Sequence, residues 1–149
     1  HKHISKKKIY INIKLIAEFY KKNFKRNPKI AITGLNPHCE SNFVNSEENT
    51  IIKPAIKNLK IKNYKIEGPF PADTIFMKKN LNEFDVIVGM YHDQVLTPMK
   101  ALFGFDAINI TLGLPFIRIS PDHGPNSSML GKNLSDPKSL IEALKFLDK

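Results

Sequence analysis

Two histidines carry the first chemical signal in this sequence. His38 follows the apolar segment 29–35, and His92 follows the apolar segment 85–91. Ligands of parallel α/β sheets bind beyond the carboxyl ends of the strands, so each imidazole is a candidate ligand of a divalent metal ion. The alternative is that both are ordinary loop histidines that cap a turn or a helix. Two histidines do not complete a metal site, and a third ligand is needed.

Lys100, Asn109 and Arg118 form a second candidate constellation. Asn109 interrupts a strand-like apolar segment, which is unusual because a buried amide needs hydrogen-bond partners. An ammonium, an amide and a guanidinium together suit a phosphate or a carboxylate. The alternative is a surface Lys, a surface Arg and an Asn on an edge strand.

The elements that must position these residues alternate between helix and strand patterns. Strands are predicted at 29–35, 64–67, 85–91 and 107–112. Helices are predicted at 9–24, 46–59, 72–79, 95–103 and 134–147. Pro54 should kink or restart its helix, and 113–126 is predicted to be an irregular loop. This alternation predicts the α/β class, with a mainly parallel sheet and helices on both of its faces.

The composition excludes several classes of protein. The 149 residues are 42% apolar and 25% charged, which is typical of a globular domain or part of one. No apolar run approaches the ~18 residues of a membrane helix, and the single Cys39 suits a reducing compartment, so we expect a cytoplasmic protein without a membrane partner. The net charge is +9, but all the basic residues except Arg26 and Arg118 are lysines without interleaved aromatics. We therefore expect no nucleic-acid partner.

Five segments, in order, carry a resemblance to a known family. They are GLNPH (34–38), EGPFPADTIF (67–76), MYHDQ (90–94), INITLGLPFIR (108–118) and SPDHG (120–124). Together they resemble the 4-hydroxythreonine-4-phosphate dehydrogenase family of vitamin B6 biosynthesis. The resemblance implies an α/β/α sandwich related to isocitrate and isopropylmalate dehydrogenases, and an obligate homodimer with each active site at the subunit interface. Family members are longer, so residues 1–149 are expected to be the C-terminal part of a two-domain enzyme.

The resemblance also implies roles for individual residues. The metal ligands implied are His3, His38 and His92, with His1 as a possible substitute for His3. The implied substrate-binding residues are Lys100, Asn109 and Arg118. Asp73 and Asp93 match acids near the family's site, which either transfer a proton or orient a metal-bound histidine. The implied cofactors are NAD or NADP and a divalent Zn, Mg or Co ion. Because the sequence lacks a G-x-G-x-x-G motif, the nicotinamide cofactor rests on the resemblance alone.

The implied reaction is the oxidation and decarboxylation of a small phosphorylated substrate. A metal- and NAD-dependent dehydrogenase would convert 4-phosphooxy-L-threonine to 3-amino-2-oxopropyl phosphate. The sequence departs from the family at Val95, where a Gly is usual, and at Pro125, where a Thr is usual. These departures leave one alternative, an inactive or truncated relative that serves as a dimeric binding module.

Overall fold

The computed structural model describes residues 3–39, 43–124 and 127–148. The chain forms two compact units, His1–Val95 and Leu96–Lys149, each of which is described by itself. His1, the possible substitute for His3, and Pro125, where a Thr is usual in the family, lie outside the described residues. No helix within the described ranges is long and apolar enough to cross a membrane.

The first unit is built on a three-stranded parallel sheet. Its strands are β1 (Ile30–Thr33), β2 (Ile66–Phe70) and β3 (Val86–Val88), in the order β2-β1-β3. Ile30 at the start of β1 is in register with Ile66 on one side and with Val86 on the other. The predicted α/β class with a parallel sheet is confirmed.

Two helices cover one face of this sheet. They are α1 (Lys6–Phe24) and α2 (Lys53–Ile61). Ile13 of α1 and Leu59 of α2 pack in one core with Ile32 of β1, and all three side chains are buried. Burying an aliphatic side chain of this size contributes about 1.5–3 kcal/mol. This isoleucine-rich core therefore fixes β1, the strand from which the segment carrying His38 departs.

The helix predicted over 46–59 is divided into two segments. A single π-helical segment (Glu48–Ile52) precedes α2, which begins at Lys53 with Pro54 in its first turn. Proline is tolerated there because first-turn N–H groups have no acceptor within the helix. Of the two predicted outcomes, a kink or a restart at Pro54, the structure shows the restart.

The opposite face of β1 carries Ala31 and Thr33, because successive side chains of a strand alternate between faces. Both are fully buried. The Thr33 hydroxyl donates a hydrogen bond of 2.7 Å to Oε1 of Gln94, in the first turn of α4 (His92–Phe103). The first turn of α4 therefore covers part of this face, and the expected helices on both faces stay a prediction.

Two elements of the first unit differ from their predicted bounds. The strand predicted over 64–67 continues as β2 through Pro69 to Phe70. Gly68 has φ +131°, and a Cβ there would collide with the carbonyl oxygen of Ile32, so only glycine permits this close approach. The helix predicted over 72–79 is reduced to turns and a short α3 (Lys78–Leu81).

The second unit contains an antiparallel hairpin and a helix that packs against it. Its strands are β4 (Ile108–Thr111) and β5 (Arg118–Pro121), and α5 (Lys138–Leu147) packs against both. Buried Ser139 of α5 donates to the carbonyl of Ala107 (2.6 Å) and accepts from the amide of Asp122 (3.0 Å). Its hydroxyl thus links the residue before β4 to the residue after β5.

The hairpin corrects two predictions. Residues 113–126 were predicted to be a loop throughout, but Arg118 begins β5. The strand at 107–112 was predicted as part of a mainly parallel sheet, whereas β4 pairs antiparallel with β5 in a separate sheet. β5 was missed because it has only four residues and ends in Pro121. A proline in so short a segment predicts a turn and not a strand.

Candidate active site

Chemically capable side chains follow all three strands of the parallel sheet. The segment after β1 carries His38, the segment after β2 carries Asp73, and His92 and Asp93 follow β3. Since β1 lies between β2 and β3, the segment with His38 leaves the sheet between the other two. The carboxyl ends of parallel strands share one edge, which is where α/β proteins bind ligands.

The backbone brings His38 and Asp73 together. The side chain of Asn36 accepts a hydrogen bond of 3.0 Å from the amide of His38, which turns the chain just before the imidazole. The amide of Ala72 donates to the carbonyl of Pro37 (3.0 Å), and this bond aligns the segments that follow β1 and β2. His38 Nδ1 then lies 3.3 Å from Asp73 Oδ2.

His92 has the same kind of partner. Its Nδ1 lies 2.7 Å from Oδ1 of the adjacent Asp93, and both side chains are exposed. His92 is the first residue of α4, so this helix begins three residues earlier than predicted. Asp93 in the first turn suits the positive end of the helix dipole.

These two pairs fit the donor set of a metal site. A carboxylate beside Nδ1 holds each ring and leaves Nε2 to bind an ion, as second-shell carboxylates do for metal-bound histidines. Cys39, next to His38, suits ligation less well, because burial raises the pKa of its thiol and disfavours the thiolate.

The third ligand stays a prediction. His3 is exposed in a turn before α1. Within the described ranges, no group of three or more His, Cys, Asp and Glu side chains is placed to hold an ion. Each histidine is therefore paired with one carboxylate, and the convergence of both rings on one ion, like the third ligand, stays a prediction.

The second unit contains the predicted anion-binding residues. Asn109 is in register with Ser120, and Arg118 with Thr111, so all four occupy one face of the hairpin. Arg118 donates a hydrogen bond of 2.8 Å to the Thr111 hydroxyl. Asn109 is exposed and is not the buried amide that its sequence setting suggested.

Lys100 has an anionic partner within its own unit. Its Nζ lies 3.1 Å from Asp122 Oδ2, and the Asp122 side chain is only 15% exposed. Asp122 and Asn109 line the same open cavity of about 510 Å³, whose other lining residues are largely apolar. The binding of one anion by Lys100, Asn109 and Arg118 together stays a prediction.

Sequence reasoning missed two buried polar residues that support the segments carrying the histidines. Gln94 bonds to both Gly34 and Met90. Glu48 Oε1 accepts from the amides of Leu35 (2.9 Å) and Asn36 (2.7 Å). The role of Glu48 was missed because its partners lie 12 and 13 residues away in the chain. The position of Gln94 within MYHDQ was the one available signal for its role.

The fold and the strand-end residues define an α/β protein with its candidate site at the carboxyl edge of a parallel sheet. The family described as pyridoxal phosphate biosynthetic protein PdxA matches residues 1–147. This chain belongs to that family.

Relatives and solved structures agree with this family. The chain is 48% identical to a 4-hydroxythreonine-4-phosphate dehydrogenase of Sulfurihydrogenibium sp. over 96% of its own length and 44% of the relative's. It is 46% identical to a D-threonate 4-phosphate dehydrogenase of Cupriavidus necator, over 79% of this chain and 36% of the relative. The crystal structure of 4-hydroxythreonine-4-phosphate dehydrogenase from Klebsiella pneumoniae matches with a TM-score of 0.80 and 34% identity, covering 97% of this chain and 44% of that one. The chain thus spans less than half the length of these relatives.

Proposed function

We propose that this chain is part of a metal- and NAD- or NADP-dependent dehydrogenase. Its substrate is 4-phosphooxy-L-threonine, which it oxidises and decarboxylates to 3-amino-2-oxopropyl phosphate in vitamin B6 biosynthesis. The observation that carries the proposal is the pairing of His38 with Asp73 and of His92 with Asp93 at neighbouring strand ends. Relatives named 4-hydroxythreonine-4-phosphate dehydrogenase support the choice of substrate.

In this proposal the two histidines bind one divalent ion, Zn, Mg or Co, through Nε2. Asp73 and Asp93 hold the rings by Nδ1, and the distances of 3.3 Å and 2.7 Å support this orienting role over direct proton transfer to the substrate. A bound divalent ion supplies Lewis-acid stabilisation of negative charge on substrate oxygens. The third donor in the proposal is His3.

Lys100, Asn109 and Arg118 bind the anionic groups of the substrate in this proposal. A guanidinium offers a planar fork of donors that matches phosphate or carboxylate, and Lys100 contributes a compact positive charge. The placement of Asn109 and Arg118 on one hairpin face supports a common ligand. Fixing both ends of a small substrate holds the reacting carbon in place for hydride transfer.

The proposed enzyme is a homodimer with its active sites at the interface. The second unit supports this assembly by leaving apolar side chains on α5 exposed. They are Leu140, Ile141, Leu144 and Leu147. An exposed apolar surface of this kind is typical of a protein–protein contact.

D-threonate 4-phosphate is a second candidate substrate. Relatives named for that activity are 46% and 42% identical to this chain. D-threonate 4-phosphate, like 4-phosphooxy-L-threonine, is a β-hydroxy acid with a phosphate, and the two differ at the carbon next to the carboxylate. The same metal and anion ligands therefore suit both, and the contact at that carbon decides between them.

The test is an assay of the full-length protein with each substrate. NADH or NADPH formation is followed at neutral pH with Co²⁺ added, and again after chelation. We expect turnover of 4-phosphooxy-L-threonine that is lost on chelation and falls at least 100-fold in His38→Ala and His92→Ala, since each removes an ion ligand.

Lys14→Gln, on an exposed part of α1, is the control. Turnover that survives chelation or both histidine changes would contradict the proposed role of the metal. Turnover of D-threonate 4-phosphate alone would select the second candidate.

A further inference from the structure

Gln94 is a buried amide whose hydrogen bonds determine its orientation. Its side chain is 6% exposed. Oε1 accepts from the amide of Met90 and from the hydroxyl of Thr33, both at 2.7 Å, and Nε2 donates to the carbonyl of Gly34, also at 2.7 Å. A backbone N–H on one side and a backbone C=O on the other permit only one orientation of the amide.

These three bonds join the ends of two strands. Thr33 ends β1, and Gly34 begins the segment that leads to His38. Met90 lies just after β3 and two residues before His92. The single side chain of Gln94 therefore connects the two segments that carry the candidate ligands, at a point where the strand ladder itself has ended.

Loss of this amide would leave two backbone groups without partners, a buried carbonyl at Gly34 and a partly buried amide at Met90. The N–H of Met90 and the C=O of Gly34 would each lose a bond, and an unsatisfied buried group costs about 1–3 kcal/mol. The two segments would shift or admit water to recover these bonds. Glu48 holds the amides of Leu35 and Asn36 independently, so we expect the segment after β3 to move more.

We infer that Gln94 is a positioning residue that sets the separation of the His38 and His92 imidazoles. This inference rests on the proposed function, in which both rings bind one ion. Gln94 touches neither ring in this role. It acts through the backbone at Gly34 and Met90, and the consequence is a site whose spacing is fixed before the ion binds.

The experiment measures Co²⁺ binding to the full-length protein by calorimetry and visible absorption. Gln94→Met keeps the size of the side chain and removes all three hydrogen bonds. We expect at least tenfold weaker Co²⁺ affinity, in the range found when outer partners of metal ligands are removed. Hydrogen exchange should show that the amide of Met90 has lost its protection. Ile56→Val, a core change on α2, is the control and should bind Co²⁺ as the parent does.

A second variant keeps the test decisive if Gln94→Met does not fold. Thr33→Val removes one donor to Gln94 with little change of shape, and we expect Co²⁺ affinity to fall about fivefold, the equivalent of one neutral hydrogen bond. Unchanged affinity in the folded variants would overturn the positioning role.

The histidine variants separate this inference from the proposed function. If His38→Ala and His92→Ala bind Co²⁺ as tightly as the parent, the proposed metal site itself is wrong. If they lose Co²⁺ while Gln94→Met retains it, only the positioning role is wrong.

Discussion

Neighbouring atoms leave no room for a side chain at position 34, which is glycine. A Cβ on Gly34 would collide with Sγ of Cys39 and would lie 3.1 Å from the carbonyl oxygen of Asn36. We expect Gly34→Ala to lower the free energy of unfolding by about 1–3 kcal/mol, because overpacking forces neighbouring atoms to move. Urea denaturation at neutral pH measures this loss.

Cys39→Ala is the matched partner for this change. It removes the sulfur from the collision, so the double variant should recover part of the loss, and the two effects should be non-additive. Recovery should be incomplete, because the contact with the Asn36 carbonyl remains. Strict additivity would show that the collision with Cys39 is not the cause.

Single residues also show what the sequence could predict at the site. His38 and His92 could be singled out because each lies within a few residues of the end of an apolar strand, which is a local signal. The partners of Gln94 and Glu48 lie in other segments, and a pattern that covers a few residues does not reveal which distant backbone groups a polar side chain will meet. Supporting contacts of this kind become visible only once the chain is folded.

At the scale of elements, Asp85 joins the residues that precede two strands. Its Oδ2 accepts from Arg26 Nη1 (2.7 Å) and from the amide of Lys29 (2.8 Å), so it ties the start of β3 to the start of β1. The hydrogen bond from Arg26, and then that from Lys29, lower the pKa of the Asp85 carboxyl below its ordinary value. These bonds favour the charged form in the folded protein.

A lowered carboxyl pKa predicts a definite dependence of stability on pH. The stabilisation is complete above the unfolded pKa of about 4 and is lost as the pH falls through the lower folded value. We expect Asp85→Asn to reduce stability by about 1–3 kcal/mol at pH 7, and its urea-unfolding curve should converge with that of the parent as the pH falls below the folded pKa of Asp85. Glu18→Gln breaks the exposed 3.7 Å pair with Lys14 and should change stability by less than about 1 kcal/mol. An equal loss at all pH values would contradict this account.

The prediction of elements succeeded where apolar periodicity is strong and failed where strands are short. Segments 9–24 and 29–35 have clear patterns, and α1 and β1 follow them closely. β5 was missed because a four-residue strand that ends in Pro121 lacks any such pattern. The separate hairpin was missed because an apolar run does not specify whether its partner strand is parallel or antiparallel.

For the whole molecule, the apolar face of α5 predicts self-association. Leu140 and Leu144 are about half exposed and lie one turn apart on that helix. We expect the full-length protein to sediment as a dimer at micromolar concentration, and the paired change Leu140→Lys and Leu144→Lys to shift it toward monomer. Ile61→Lys, at the end of α2 and 71% exposed, is the control. A monomeric parent protein, or a variant that sediments like the parent, would contradict the predicted interface.

The pair formed by Lys100 and Asp122 has a consequence for selectivity among anions. The ammonium of Lys100 already has the Asp122 carboxylate at 3.1 Å. A ligand anion that binds Lys100 must therefore replace this carboxylate as the partner of the ammonium. A ligand carboxylate offers no more negative charge than Asp122 does, so the exchange brings little gain. A phosphate ester carries close to two charges near neutral pH and has three acceptor oxygens. On the proposed function, Asp122 therefore competes with ligand anions for Lys100. This competition disfavours the binding of a carboxylate and favours the phosphorylated end of the substrate.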